Sequence, residues 1–193
     1  MSELLTYDEL LFSLINGVWN HPVLDAVMPW WREKETWIPL YVILGVVLAW
    51  RFRFRVIYFM LAVALTVTVA DTVSSKVIKP AVERLRPCND PEVKPAVELR
   101  IRCGPGFSFP SSHATNHFAV AAFFFVTLGG MYRIMRWPIF LWAATIAYGQ
   151  VYVGVHYPLD VLTGGLLGLL IGWAVAAAYR RFERFQLSAP AAT

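Results

Sequence analysis

Residues 137–179 read WPIFLWAATIAYGQVYVGVHYPLDVLTGGLLGLLIGWAVAAAY and hold a single charged side chain, Asp160. The halves on either side of it, 137–159 and 161–179, each match a membrane-spanning helix, which needs about 20 mostly apolar residues, range ~17–25. A third run without Asp, Glu, Lys or Arg, 103–132, qualifies in the same way. Two further runs, 36–50 and 56–70, are shorter. Trp37 and Trp50 can anchor the first at both membrane interfaces, and the second runs on through Ala70 towards Ser75. The pattern predicts five spans, at roughly 35–51, 56–76, 113–132, 138–156 and 159–179.

The rest of the composition agrees. The 193 residues are 58% hydrophobic and 16% charged, whereas soluble domains carry about 25% charged residues. A soluble globule needs more polar surface than this, and disorder needs low hydrophobicity and high net charge. Two cysteines cannot staple a disulfide-dense scaffold. The expected fold is all-α: a polytopic membrane helical bundle of about five to six helices, one integral-membrane domain over 1–193. Residues 1–10 hold three acids and no base, so the basic start of a signal peptide is missing. In 5–19, Leu5, Leu11, Phe12, Ile15 and Trp19 fall near helical spacing, as in an amphipathic helix lying in the interface; a helix packed on the bundle fits as well. The interfacial segment is expected over 1–34.

Short loops set the orientation. Arg51, Arg53 and Arg55, then Arg133 and Arg136, then Arg180, Arg181 and Arg184 all fall on one side, which is therefore expected to be cytoplasmic. The outer loop 77–112 is an exception, with Lys79, Arg84, Arg86, Lys94, Arg100 and Arg102. Those bases need another task.

Three polar clusters suggest it. Lys79 to Pro87 follows the second span, Pro110-Ser111-Ser112-His113 precedes the third, and His156 to Asp160 joins the fourth and fifth. Spans three and four go across and return, so all three clusters meet at one membrane face. Lys and Arg donors with few matching acids describe an anion site. Ser111 and Ser112 precede a helix whose first N–H groups can point at an anion. His113 and His156 can share acid and nucleophile roles. Asp160, four residues after His156, can fix its tautomer. Positioning and positive charge carry most of the work of phosphoryl transfer, so no metal or other cofactor is expected.

These residues resemble the type 2 phosphatidic acid phosphatase (PAP2) superfamily, which includes vanadium haloperoxidases and glucose-6-phosphatase. Its motifs are K-x6-R-P, P-S-G-H and S-R-x5-H-x3-D. Lys79 and Arg86-Pro87 match the first. Residues 110–113 match the second with Ser112 for Gly. Gly149, Gln150, His156 and Asp160 match the third in spacing, with Gly149 for Ser and Gln150 for Arg. The resemblance implies that His156 is the nucleophile, Asp160 orients it and His113 protonates the leaving oxygen. It implies a phosphate held by Lys79, Arg86, Ser111 and Ser112, with Gln150 donating hydrogen bonds without charge. Arg84, Arg100 or Arg102 is expected to supply the missing charge.

His113 and His117, four apart, have a spacing that can suit a metal, but no third ligand lies nearby in sequence, and a supporting role for Asn116 and His117 is expected. His21 near Asp25 is read as interfacial, and Asp71, Ser74, Ser75 and Lys76 as the end of the second span. Cys88 and Cys103 lie in the outer loop, where an oxidising compartment permits a disulfide. The resemblance thus implies a lipid phosphatase of a bacterial inner membrane, its site facing the periplasm. Undecaprenyl diphosphate is the leading substrate; phosphatidylglycerol phosphate, phosphatidic acid and lipid A 1-phosphate are alternatives. A poorly catalytic lipid-phosphate binding or transport protein is a reading of another class. The expected partners are the lipid substrate and membrane lipids, with no nucleic acid; oligomeric state is not legible.

Overall fold

The structure, a computed structural model, describes residues 2–130 and 132–186. Helix α1 (Ser2–Ser13) runs into a π-helical turn, Leu14–Val18, and α2 (Pro22–Trp31) follows. His21 caps α2 by accepting the Val23 N–H at Nδ1, 3.2 Å, with Pro22 at the first helical position. Then come α3 (Ile38–Phe52) and α4 (Arg55–Asp71). The latter continues through a π-helical stretch, Thr72–Ile78, into a last turn, Lys79–Val82. After the long loop come α5 (Ser112–Leu128), α6 (Arg136–Tyr152) and α7 (Pro158–Gln186).

The all-helical membrane fold agrees with the sequence, but the span lengths differ. Among the described residues, three helical stretches are long and apolar enough to cross a membrane: Lys34–Phe52, Val56–Val82 and Pro158–Phe182. Helices α5 and α6 have 17 residues each, about 25 Å of rise. Each stops four residues before the expected end. Gly129 and Gly130 close α5. Beyond Tyr152, residues 153–157 leave the helix to carry His156 to the start of α7.

Helix α7 packs most closely on α5. Gly164, Gly168 and Gly172 recur one turn apart along its contact face. A Cβ at these positions would come 2.6 Å from the Ser111 carbonyl oxygen, 2.3 Å from that of Thr115 and 2.1 Å from that of Ala119. The backbones touch, as small residues permit in membranes, where packing rather than burial from water drives helix association. One consequence reaches the helix ends: the Ser111 N–H donates to the Asp160 carbonyl, 2.9 Å.

Two cores flank this contact. At the far end from loop 83–111, Leu48, Phe59, Phe123 and Ala176 are buried, and Phe59 and Phe123 pack with ring centroids 5.4 Å apart. At the loop end, Phe12 and Ile15 of the N-terminal segment pack with Val151, Tyr152, Val155 and Tyr157. The amphipathic stripe expected in 5–19 therefore divides. Phe12 and Ile15 are buried, whereas Leu5, Leu11 and Trp19 are exposed together with Leu4, Tyr7 and Leu10. One face of α1 packs on the bundle, and the other offers apolar side chains to the interface. Helix α3 exposes Val42, Ile43, Val46 and Trp50, as a lipid-facing helix does. A disulfide joins Cys88 to Cys103 and closes the outer loop on itself.

Gly168→Leu places a side chain where the α5 backbone lies. Overpacking of this kind costs about 1–3 kcal/mol, occasionally more. Thermal unfolding in detergent is expected to show a clear drop in melting temperature, and Gly165→Leu, whose Cβ would come nearest the Phe118 ring at 3.2 Å rather than backbone, a smaller one.

Candidate active site

The start of α7 builds the first part of the site. Pro158 takes the first helical position and Asp160 the third, with Tyr157 as the residue before the helix. The Asp160 carboxylate reaches back and accepts the Tyr157 N–H at Oδ2, 2.9 Å. This is the backward half of a capping box, satisfying an N–H that the helix leaves open. The same oxygen lies 3.4 Å from His156 Nδ1. The four-residue spacing of His156 and Asp160 is thus helix-capping geometry put to use on an imidazole. A proton on Nδ1 shared with Asp160 leaves the Nε2 lone pair free. Nε2 lies 3.5 Å from Arg86 Nη1, whose other contact is the Val155 carbonyl at 3.4 Å. His156 and Asp160 are both buried.

Arg84 fills the remaining side of Asp160. Its Nη1 donates to Asp160 Oδ1, 2.8 Å, and its Nη2 to Asp8 Oδ2, 2.7 Å, while the guanidinium lies over the Tyr157 ring at 3.9 Å. Asp8 Oδ1 in turn accepts the Leu159 N–H, 2.7 Å. Burial works against the Arg84 charge, but Asp160 and Asp8 outweigh it and hold its pKa above the ordinary value. Arg86 is shifted the other way: burial lowers its pKa, Asp160 opposes this and the charge of Arg32 adds to it.

The other expected residues gather around this pair. Lys79, in the last turn of the helical stretch that continues α4, donates from Nζ to the Phe107 carbonyl, 2.7 Å, and to that of Ser108, 3.2 Å, and its charge acts on His156 together with that of Arg86. Ser111 is buried as the N-cap of α5, its Oγ accepting the Ala114 N–H at 3.5 Å. Ser112 Oγ lies 2.8 Å from Ser75 Oγ. Ser75 and Asn116 both donate to Asp71 Oδ1, at 3.4 and 3.3 Å, so the polar end of the second span braces α5. His117 contacts the His113 carbonyl through Nδ1, 2.7 Å, and packs edge-on against Trp142. Among the described residues no three His, Cys, Asp or Glu side chains cluster as a metal site.

The bases expected to compensate for Gln150 make other contacts. Arg84 is held by its two carboxylates. Arg100 pairs with Asp25 and with Glu98 and lies over the Tyr152 ring; Arg102 is exposed. His21 and Asp25 belong to this structural staple, for the Tyr152 hydroxyl donates to Asp25 Oδ1, 2.7 Å, and accepts the His21 N–H, 3.1 Å. Tyr152 and then Arg100 hold the Asp25 pKa below the usual carboxylate value. The guanidinium at Gln150 is Arg32, whose Nε donates to Gln150 Oε1, 3.1 Å. No motif pointed to Arg32, which lies 118 residues from Gln150 in the chain.

A cavity of about 870 Å³ opens beside these groups. Its walls are apolar residues of α3, α4, α5 and α6, among them Leu44, Val63, Val120 and Ile139, and His113 and Ser112 stand at its polar end. The arrangement combines a carboxylate-held imidazole, a second histidine, several cations and an adjoining apolar chamber.

The profile of the PAP2 superfamily matches residues 55–184. The chain is 35% identical to lipid A 4'-phosphatase of Bacteroides thetaiotaomicron over 192 residues, 95% of this chain and 82% of that protein. It is 32% identical to phosphatidylglycerophosphatase B of Bacillus subtilis over 82% of this chain and 80% of that one. Among solved structures it is similar to a transmembrane PAP2-type phosphatidylglycerolphosphate phosphatase of Bacillus subtilis. There the TM-score is 0.72 and the identity 26%, over 96% of this chain and 90% of that chain.

Breaking the Asp8–Arg84–Asp160 chain leaves buried carboxylates without their cation, which costs about 3–5 kcal/mol in comparable buried pairs. Arg84→Met is therefore expected to lower the melting temperature in detergent strongly. Combining it with Asp8→Leu is expected to recover part of the loss.

Proposed function

This chain belongs to the PAP2 superfamily and is a multi-pass membrane lipid phosphatase, and from that premise we propose that it removes the 4'-phosphate of a lipid A-type glycolipid through a phosphohistidine on His156. The observation that carries the mechanism is the His156–Asp160 pair with Arg86 at the free ring nitrogen, beside an apolar chamber that ends at His113. The choice of substrate rests on likeness. The relative named for lipid A 4'-phosphate shares 35% identity over 95% of this chain, which favours that substrate over the undecaprenyl diphosphate expected from the family resemblance. It also favours the 4'-phosphate over the 1-phosphate. Phosphatidylglycerol phosphate is the second reading, supported by the phosphatidylglycerophosphatase relative and its fold.

In the proposed reaction the His156 Nε2 lone pair attacks phosphorus, and Asp160 stabilises the imidazolium that forms. Arg86, Lys79 and the N–H groups at the start of α5, around Ser111 and Ser112, take up the charge on the phosphoryl oxygens. His113 gives its proton to the departing sugar oxygen. It then takes one from the water that attacks the phosphohistidine, releasing inorganic phosphate and restoring both histidines. No step requires a metal. The acyl chains stay in the bilayer and the chamber beside His113. The site lies at the outer face of a bacterial inner membrane, a side on which the Cys88–Cys103 bond would persist. The whole chain acts as one domain.

Purified protein in detergent is expected to release phosphate from a lipid A 4'-phosphate faster than from phosphatidylglycerol phosphate, undecaprenyl diphosphate, phosphatidic acid or lipid A 1-phosphate. EDTA should leave the rate unchanged. His156→Ala should reduce turnover by at least about 1000-fold, and an acid-labile phosphoenzyme should form on the wild type alone. Preference for another lipid of the panel would overturn the substrate. A phosphoenzyme that persists in His156→Ala would overturn the nucleophile.

A further inference from the structure

We infer that Arg32, from the N-terminal segment, is a phosphate-binding residue of this active site, and that Gly149 and Gln150 are the positions that admit and aim it. The inference rests on the phosphatase reading for its chemistry, and its geometry is independent of which lipid is the substrate.

Arg32 caps the C-terminal end of α2, yet its side chain is only 8% exposed. A guanidinium is not buried without partners, because an unpaired charge costs several kcal/mol to desolvate. Two of its nitrogens are committed. Nε donates to Gln150 Oε1, 3.1 Å, and Nη1 to Glu33 Oε1, 2.6 Å. The remaining nitrogen, Nη2, carries two further N–H donors that can serve phosphate oxygens.

Its surroundings are those of the catalytic centre. Gln150 is fully buried in the last turn of α6, and its carbonyl accepts the Val155 N–H, 3.3 Å. The Val155 carbonyl accepts from Arg86, which faces His156. Glu33 and Lys34, the next two residues after Arg32, line the same cavity as Ser112 and His113. The charge of Arg32 acts on both Arg86 and His113. Two buried donors of this group have no partner among the described residues: Gln150 Nε2 and Arg86 Nε. Neighbouring cations that come with buried, unpartnered N–H groups are complementary to an anion.

The two departures in the third motif then have one cause. A Cβ on Gly149 would lie 3.3 Å from the Arg32 Cβ and 3.6 Å from Met28 Sδ. Glycine lets α2 approach closely enough for Arg32 to enter. Glutamine at 150 then uses its oxygen to hold the Arg32 guanidinium, where an arginine would repel it. The positive charge is supplied from another helix rather than lost.

The experiment compares wild type, Arg32→Ala, Arg32→Gln and the double variant Arg32→Ala with Gln150→Arg. Two readouts are taken: stabilisation by inorganic phosphate in a thermal-shift titration, and phosphate release from the best lipid substrate. Removing a single preorganised donor to a reacting oxyanion costs about 100- to 1000-fold in turnover. A loss of at least about 100-fold in kcat/KM and of about tenfold or more in phosphate affinity is expected for Arg32→Ala. The double variant should regain most of both. Arg32→Gln keeps a donor towards Gln150 but no charge, and it is read by the same criteria if Arg32→Ala fails to fold. A folded neutral variant that binds phosphate as the wild type does overturns the inference, and so does a double variant no better than Arg32→Ala. Wild-type protein that binds phosphate through Arg32 but hydrolyses no lipid phosphate would sink the phosphatase reading and leave the Arg32 site standing.

Discussion

The backbone contact between α5 and α7 is the constraint on which the site depends. Gly164, Gly168 and Gly172 bring the two helices so close that their starting turns share a hydrogen bond, from the Ser111 N–H to the Asp160 carbonyl. The first turn of α5 carries Ser111, Ser112 and His113, and the first turn of α7 carries Asp160. Had the axes been held apart by larger residues, the two motifs would sit on the same face but not in one site. Lipid offers no hydrophobic reward for such an approach, so the small residues and their dispersion contacts must supply it.

On that frame the electrostatics are arranged in sequence. Asp160 serves the backbone, the imidazole and Arg84 at once, accepting from Tyr157 and Arg84 and facing His156. Arg84 is neutralised from both sides by Asp8 and Asp160, so its charge is spent on structure. Arg86 and Arg32 have no such pairing with two buried carboxylates. The division shows how bases near the site serve different ends: Arg84 holds the scaffold, whereas Arg86 faces the imidazole of His156.

Much of this was legible from the residues. Charge-free runs identified the helices, and the spacing of His156 and Asp160 anticipated their contact, because it reflects local geometry, the capping box around Asp160. The lengths of α5 and α6 were overestimated because absence of charge marks apolar environment, not helix. Residues 153–157 are as apolar as the helix before them, yet they turn. The role of Arg84 was not legible because its partner Asp8 lies 76 residues away, in a segment with no motif. The spacing of Gly164, Gly168 and Gly172 was visible, but its partner helix was not.

Arg32 and Asp8 share one property that bears on how such a site changes. Both lie before residue 55, where the superfamily match begins, and both reach its centre. The histidines, Asp160 and the α5 N-terminus are bound to one another through backbone contacts and tolerate little rearrangement. The N-terminal segment touches the centre through side chains alone, the Asp8 carboxylate on Arg84 and the Arg32 guanidinium on Gln150. Gly149 is small enough to let Arg32 approach α6, and Gln150 holds its guanidinium. Glu33 and Lys34, which follow Arg32 directly, line the chamber beside His113, so the segment that carries Arg32 also shapes the wall of that chamber.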